Sequence, residues 1–281
     1  MTKFSVLLPV YIADKPEFFI RAIRSATIEQ TLPPTQIVVV CDGPVHPDIQ
    51  NFLRKASSDE STELIGKTQL TVIKTPQNRG LSHALNLGLA ACKYDTVARA
   101  DADDISLPNR FEKQIPYFKK GYDLVGSALT EFNIDESLPG LIRKMPQTAS
   151  EIKKVARLRD PFNHPTVVYR ASKVLACGGY EHVNHMEDYW LFARMIQMGV
   201  RCANIPESLV LYRVGDGAYC RRGGLTLFRS EYTLQRKLRS IGLTSNLDFF
   251  RNIAIRCGYR LIPSSLRKSI YQFIGRAKWF R

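Results

Sequence analysis

Four apolar, β-prone runs punctuate the first 110 residues, and a helix-forming stretch separates each from the next. Residues 4–10 (FSVLLPV) and 36–41 (QIVVVC) are nearly unbroken apolar runs, the pattern of parallel strands buried on both faces. Residues 70–74 and 96–98 supply two more. Pro16 and Glu17 open a helix whose inward stripe is Phe19, Ala22, Ile23 and Ala26. Further helices are predicted over 48–56 and, after an Asn78-Arg79-Gly80 turn, over 81–92. A β-α-β-α-β-α-β order at these spacings suits right-handed crossovers and a parallel sheet. It is the layout of a Rossmann-like nucleotide-binding half. No G-x-G-x-x-G follows the first strand and no G-x-x-x-x-G-K-[ST] occurs, which argues against a dinucleotide and excludes a P-loop.

The fourth run ends in three carboxylates within four residues, Asp101, Asp103 and Asp104. Acids this close repel one another. Two readings stay open: an acidic turn that caps the next helix, or a corner where a divalent cation removes the repulsion. Its place at a strand's C-terminal end favours the second, because ligands of open α/β sheets sit there. Asp42-Gly43, after the second strand, is likewise either a plain turn or a ligand site. Farther on, the pattern predicts a polar helix over 107–120, a strand over 122–132, a basic helix over 149–159 and a strand over 166–169. A turn follows at 176–180, then a helix from His185-Met186-Glu187-Asp188 to about Met198, stopped by Gly199. Residues 210–214 read as a strand, 215–224 as a glycine-rich loop, and 225–241 and 247–259 as helices.

Charge divides the chain more sharply than hydropathy does. The net charge is +14; no acid follows Asp248, so the last segment carries +8 and the rest only +6. Six scattered cysteines without a C-x-x-C pair argue against zinc or a disulfide framework and fit a reducing compartment. Met1-Thr2-Lys3-Phe4 runs straight into a strand, so no secretory signal is expected, and no apolar run is long enough to span a bilayer.

Five segments in order carry a resemblance. They are a strand ending in Pro9-Val10-Tyr11, a strand ending in Asp42-Gly43, an N-R-G-x-x-x-A-x-N-x-G segment from Asn78, an A-D-A-D-D-I-x-x-P-x-R segment from Ala100, and Glu187-Asp188 at a helix start. Together they resemble the inverting family 2 glycosyltransferases of the GT-A fold, particularly bacterial enzymes of exopolysaccharide, capsule or O-antigen assembly. The resemblance covers about residues 3–215. It implies an α/β fold, a Rossmann-like, mixed and mainly parallel sheet flanked by helices. Residues 1–224 would form the transferase domain, with a nucleotide-binding half (1–110) and an acceptor half (111–224), and 225–281 a basic helical extension.

The same resemblance distributes roles. Pro9, Val10, Tyr11, Asp42 and Arg79 would meet the nucleotide sugar. Asp103 would hold Mg²⁺ or Mn²⁺, with Asp101 beside the ribose or the ion, and Asp104 would point away to cap the next helix. Asp188 would be the general base, with Glu187, Trp190 and His164 on the acceptor side. Arg221 and Arg222 in the glycine-rich loop would close over the diphosphate. Many relatives carry a His shortly after Tyr-Arg; this chain has Tyr212-Arg213-Val214-Gly215-Asp216, so Asp216 or water would stand in as a ligand.

In the tail, Leu266, Ile270, Phe273, Ile274, Ala277 and Phe280 fall in one helical arc flanked by Arg267, Lys268, Arg276 and Lys278. A basic amphipathic helix of this kind suits an anionic membrane surface, or else packs on the body. The expectation is a metal-dependent transferase that moves sugar from a nucleotide sugar, a UDP-sugar first, to a lipid-linked saccharide at the cytoplasmic membrane face, with no nucleic-acid partner. A sugar-nucleotide pyrophosphorylase would want a glycine-rich basic loop after the first strand, where Pro9-Val10-Tyr11-Ile12-Ala13 stands. A non-catalytic membrane-bound scaffold would want a broken D-x-D or a missing base, and both are intact.

Overall fold

The computed structural model describes residues 2–58, 61–215 and 224–261. In chain order the elements are β1 (Ser5–Val10), α1 (Pro16–Ala26), β2 (Gln36–Cys41), α2 (Pro47–Ala56), α3 (Ser61–Ile65), β3 (Gln69–Lys74), α4 (Leu81–Ala91), β4 (Thr96–Arg99), β5 (Ile105–Ser106) and α5 (Arg110–Lys119). The second half adds β6 (Leu124–Phe132), β7 (Ile142–Arg143), α6 (Ala149–Val155), β8 (Val168–Arg170), α7 (Ala171–Ala176), α8 (Glu187–Gln197) and β9 (Cys202–Arg213). It closes with α9 (Leu225–Ser240), α10 (Asn246–Asn252) and α11 (Gly258–Leu261), the last two joined by a π-helical stretch at Ile253–Cys257.

The strands form one mixed sheet in the order β3-β2-β1-β4-β8-β6-β9-β5, with β7 on β6. β1 to β4 pair in parallel, as the sequence predicts. β8 enters antiparallel beside β4. Parity then sorts the apolar runs into two cores. Leu7, Val38, Val40 and Val97 face α4 and α8, whereas Val6, Leu8, Ile37, Val39 and Ala98 face α1, α2 and α5. The predicted inner stripe of α1 is buried as expected.

Several boundaries move for reasons that lie far away in sequence. The helix predicted from 107 begins at Arg110, because Ile105 and Ser106 pair with Leu211 and Val210 of β9. The strand predicted over 166–169 is a 3₁₀ turn (His164–Thr166) followed by β8. Residues before the Gly178-Gly179 turn are helical, and β9 is longer than residues 210–214 suggest because β6 runs beside it. Residues 225–261 are continuous with the core: Leu234, Leu238 and Leu243 share an apolar cluster with Trp190 and Met195.

Gly88 of α4 shows why its segment ends in glycine. A Cβ there would overlap the Leu7 and Val40 side chains, so the helix lies directly on β1 and β2. Overpacking of this kind costs ~1–3 kcal/mol. Gly88→Ala should therefore lower the urea midpoint. Gly258→Ala, where no atom of the described residues beyond the helix's own backbone and chain neighbours lies within 4 Å of the added methyl, should leave it unchanged or raise it. Equal midpoints for the two variants would refute this close approach.

Candidate active site

β1, β2 and β4 end along one edge, and the loops beyond them build one wall of a cleft. Asp42 follows β2 and is buried. Its Oδ1 accepts the Arg79 N–H at 2.9 Å and its Oδ2 the Gly80 N–H at 2.8 Å. The carboxylate therefore fastens the Asn78-Arg79-Gly80 loop to the sheet edge and leaves the Arg79 side chain exposed there. Gly43 completes the fastening: its φ is +82°, and a Cβ would stand 2.7 Å from the Asn78 nitrogen. Of the three residues ending β1, Pro9 and Val10 are buried and only Tyr11 is exposed. A ligand at this edge would meet Pro9 and Val10 only through backbone, and Tyr11 through its ring.

The acidic corner follows β4. Asp101 pairs with Arg99, a guanidinium only 2% exposed. Asp104 does not cap α5. Its Oδ1 accepts the backbone N–H of Arg213 at 2.9 Å, and Arg213 Nε donates to the Asp103 carbonyl at 3.1 Å. The end of β9 thus captures the loop before it can reach the helix. Burial raises the Asp103 carboxyl above the ordinary range against the pull of Arg99. Burial, then Asp103, pushes Asp104 up to about 8. Asp14, in the loop after β1, is pushed by burial up to about 6, with Asp103 adding to it against the Tyr11 N–H and Arg99.

These acids are short of positive charge, and the buried Oδ2 of Asp104 has no hydrogen-bond partner among the described residues. That deficit fits a divalent cation. No group of three or more His, Cys, Asp or Glu among the described residues forms a closed cage for one. The donor set instead fits an ion held by one or two carboxylates and completed by water and phosphate.

The opposite wall is the start of α8. His185 turns the chain into the helix with a φ of +61°, a left-handed conformation rare outside glycine. Asp188 has 29% of its side chain exposed and lies within the field of Arg99, which also acts on the acidic corner. Its Oδ1 accepts the Tyr189 N–H at 2.7 Å, and its Oδ2 lies 3.9 Å from His164 Nδ1. Burial, then Glu187, lifts its carboxyl to about 6, against the Tyr189 N–H and Arg99. Asp160 adds a neighbouring carboxyl that burial and then Asp188 hold well above the usual range.

His164 is buried, with Nε2 at 3.0 Å from the Tyr180 hydroxyl. Burial keeps its imidazole neutral. Trp190, expected to meet a sugar ring, is instead a core residue. It is 4% exposed, its N–H donates to Glu181 at 2.8 Å, and Arg194 and Lys237 lie over its ring. Two residues after Asp188 on a helix is the far side from the cleft.

The two walls are tied together. Asn86 of α4 donates to the Tyr180 carbonyl and accepts the Tyr180 N–H, both at 2.8 Å. Sequence reasoning missed Arg99, Asp14, Asp160 and Tyr180. A buried arginine two residues before the D-x-D, and an aspartate three residues after Pro9-Val10-Tyr11, were the available signals for the first two. The other two meet the site only through the fold. Arg221, Arg222, Asp216 and the stripe from Leu266 to Phe280 lie outside the described residues.

The sequence profile of Glycosyl transferase family 2 matches residues 5–183. An uncharacterized glycosyltransferase of Haemophilus influenzae is 39% identical over 96% of this chain and 98% of its own. The amylovoran biosynthesis glycosyltransferase AmsE of Erwinia amylovora is 35% identical over 96% and 98%. The Escherichia coli UDP-Gal:alpha-D-GlcNAc-diphosphoundecaprenol beta-1,3-galactosyltransferase is 34% identical over 98% and 97%. In fold, the chain is similar to S. aureus TarS 1-349 in complex with UDP-GlcNAc, with a TM-score of 0.68 at 14% identity over 99% of this chain and 77% of that one. It is also similar to the mannosyltransferase PcManGT from Pyrobaculum calidifontis in complex with GDP-Man and Mn2+, at 0.64 and 14% over 96% and 75%. With its sheet order, its acidic corner and a profile match over most of its length, the chain belongs to glycosyl transferase family 2 and has the GT-A fold.

Proposed function

We propose that the chain is a metal-dependent, inverting glycosyltransferase that moves a sugar from a UDP-sugar to a lipid-linked saccharide in bacterial surface-polysaccharide assembly. The observation that carries this reading is the placement of two acidic centres, Asp101-Asp103 and Asp188, within the field of one buried cation, Arg99. The name of the E. coli relative supports a UDP-sugar donor and a diphosphoundecaprenol-linked acceptor. The Erwinia relative supports exopolysaccharide assembly, and the Mn²⁺ complex of the mannosyltransferase supports the ion.

Asp103, with Asp101, would hold Mg²⁺ or Mn²⁺, which offsets the charge that develops on the departing diphosphate. Asp42 and Tyr11 would line the nucleoside end, the Asp42 carboxylate keeping lone pairs beyond the two it gives to backbone. Arg79 reaches toward the phosphates, where a guanidinium binds bidentately. Asp188 accepts the proton of the acceptor hydroxyl as that oxygen attacks the anomeric carbon from the side opposite the diphosphate. One displacement inverts the configuration. Glu187, at the helix start beside it, would orient the acceptor.

A membrane seat fits the other end of the molecule. Leu247, Phe250 and Ile255 are 80%, 66% and 54% exposed around α10 and the π-helical stretch. The segment after Asp248 carries eight basic residues and no acid, of which Arg256 and Arg260 face the buried Glu231 rather than the surface. Each basic residue near an anionic leaflet contributes about 1 kcal/mol. No helix among the described residues is long and apolar enough to cross a membrane, so the proposed association is peripheral, on the cytoplasmic face. Sedimentation with vesicles should recover the chain on phosphatidylglycerol and not on phosphatidylcholine, with Leu247→Glu/Phe250→Glu reducing recovery. Equal recovery on both lipids would argue against this seat.

Two measurements test the chemistry. Asp103→Ala should abolish transfer and remove the Mn²⁺-dependent part of UDP stabilisation, which at 100 times Kd is worth ~2.7 kcal/mol. Asp188→Asn should keep that stabilisation and lose ~10²–10⁴-fold in turnover. Near-normal turnover in either variant would remove that residue from its role. Because the Asp188 carboxyl titrates near 6, only its ionised form can take a proton. kcat/KM should therefore rise about tenfold per pH unit below 6 and level off above it. A profile flat from pH 5 to 8 would exclude Asp188 as the base.

A further inference from the structure

Behind the base stands a short hydrogen-bonded chain that leads away from the cleft. His164 Nδ1 lies 3.9 Å from Asp188 Oδ2, and His164 Nε2 lies 3.0 Å from the Tyr180 hydroxyl. That hydroxyl is in turn 3.4 Å from the Tyr169 hydroxyl. All three rings are buried, at 9%, 3% and 0% exposure. Phe192 packs edge-on against the imidazole, and Asn86 fixes the Tyr180 backbone from both sides. The Tyr169 hydroxyl has no other hydrogen-bond partner among the described residues.

Two arrangements of protons are available, since either hydroxyl can donate to the other. If His164 Nε2–H donates to Tyr180, then Tyr180 donates to Tyr169. The Tyr169 proton is then stranded in the core, and the bare Nδ1 lone pair faces the Asp188 carboxylate. If Tyr169 donates to Tyr180 and Tyr180 donates to Nε2, both hydroxyl protons are used. The imidazole proton then sits on Nδ1 and faces Asp188. A stranded buried donor is costly, and a lone pair set against a carboxylate is repulsive, so the second arrangement wins on both counts.

We propose that His164 is the positioning residue for Asp188, with its Nδ1–H tautomer fixed by the Tyr180–Tyr169 hydroxyl pair. This rests on the transferase reading above, in which Asp188 is the base. At 3.9 Å the contact is longer than a hydrogen bond; it would close when an acceptor hydroxyl draws the carboxylate into line, as catalytic contacts commonly do on substrate binding. With Oδ1 engaged by the Tyr189 N–H and Oδ2 by His164, the carboxylate keeps one orientation, its remaining lone pairs directed to the cleft. The imidazole stays neutral throughout, and no proton passes through it.

The test compares His164→Asn, whose amide nitrogen stands where Nδ1 does, with His164→Leu and Tyr180→Phe. His164→Leu should lose about 10–100-fold in kcat with donor KM unchanged within threefold, and His164→Asn should recover most of that loss. Nitrogen-15 spectra of the imidazole should show Nδ1 protonated in the wild-type chain, and a mixture of tautomers in Tyr180→Phe. An Nε2–H tautomer in the wild type, a His164→Leu variant with wild-type kcat, or equal losses in the Asn and Leu variants would each overturn the proposal. A folded wild-type chain that transfers no sugar would overturn the transferase reading, and the positioning role with it. The three outcomes above, in an active wild type, overturn the positioning role alone.

Discussion

A guanidinium almost wholly out of water at the end of β4 sets the terms for both walls of the cleft. Burying an arginine costs several kcal/mol unless acids surround it. Here Asp101 pairs with it directly, and its field reaches the carboxyls of Asp14, Asp103, Asp104 and Asp188. Arg213 acts on Asp103, and Arg143 and Arg110 act on Asp104, yet burial outweighs them all. The cluster therefore keeps an unmet demand for positive charge, which burial expresses as carboxyls titrating above their ordinary range. The demand lies at the C-terminal edge of the sheet, where a nucleotide's diphosphate would bring further negative charge. On the proposed reading, a divalent ion would meet both deficits at once.

Arg110, a second buried arginine within the field of Asp104, also works through hydrogen bonds. Its three nitrogens donate to the Arg99 carbonyl, the Ser106 hydroxyl and the Gln114 amide oxygen. It ties the last carbonyl of β4 to the helix that follows and so holds the loop carrying the acids. Much of the shared motif is scaffolding of this kind. Asp42 fastens a loop, Asn86 clamps Tyr180 and Gly88 admits a helix to the sheet. Fewer motif residues are left to touch ligand: Tyr11, Arg79, Asp101, Asp103, Glu187 and Asp188 on the proposed reading.

What the chain revealed in advance follows this division. The strands of the first half and the inner face of α1 were legible because each is set by local periodicity. The D-x-D and the Glu-Asp pair were legible as clusters of one chemistry. Asp104 was misread because its partner, the Arg213 backbone, is 109 residues away. Trp190 was misread because aromatic residues serve cores and sugar sites alike, and only the fold says which way the ring turns. The short β5 and the antiparallel β8 were illegible for the same reason: two or three residues carry no period, and their pairing is decided by neighbours. His164 was read as an acceptor-side residue; its burial, its 3.9 Å approach to Asp188 and its tie to Tyr180 were not readable, since they depend on a turn held by α4.

The same logic reaches the C-terminal helices. Glu231 on α9 is fully buried and takes Arg256 at 2.7 Å and Arg260 at 3.2 Å, with Gln235 also donating to it. Removing either side of such a buried pair leaves an uncompensated charge, so the pair holds α9 and the chain after α10 in a fixed relation. α9 in turn packs through Leu234 and Leu238 into the cluster that contains Trp190 and Met195 of α8. The helix that carries Asp188 and the helix that exposes Leu247 and Phe250 therefore belong to one packed body. If those apolar residues seat on lipid, the orientation of Asp188 relative to the membrane plane is set by core packing. A transferase whose acceptor is anchored in that plane needs the cleft at a fixed height above it. A buried ion cluster, rigid and directional, suits that requirement better than a flexible linker would.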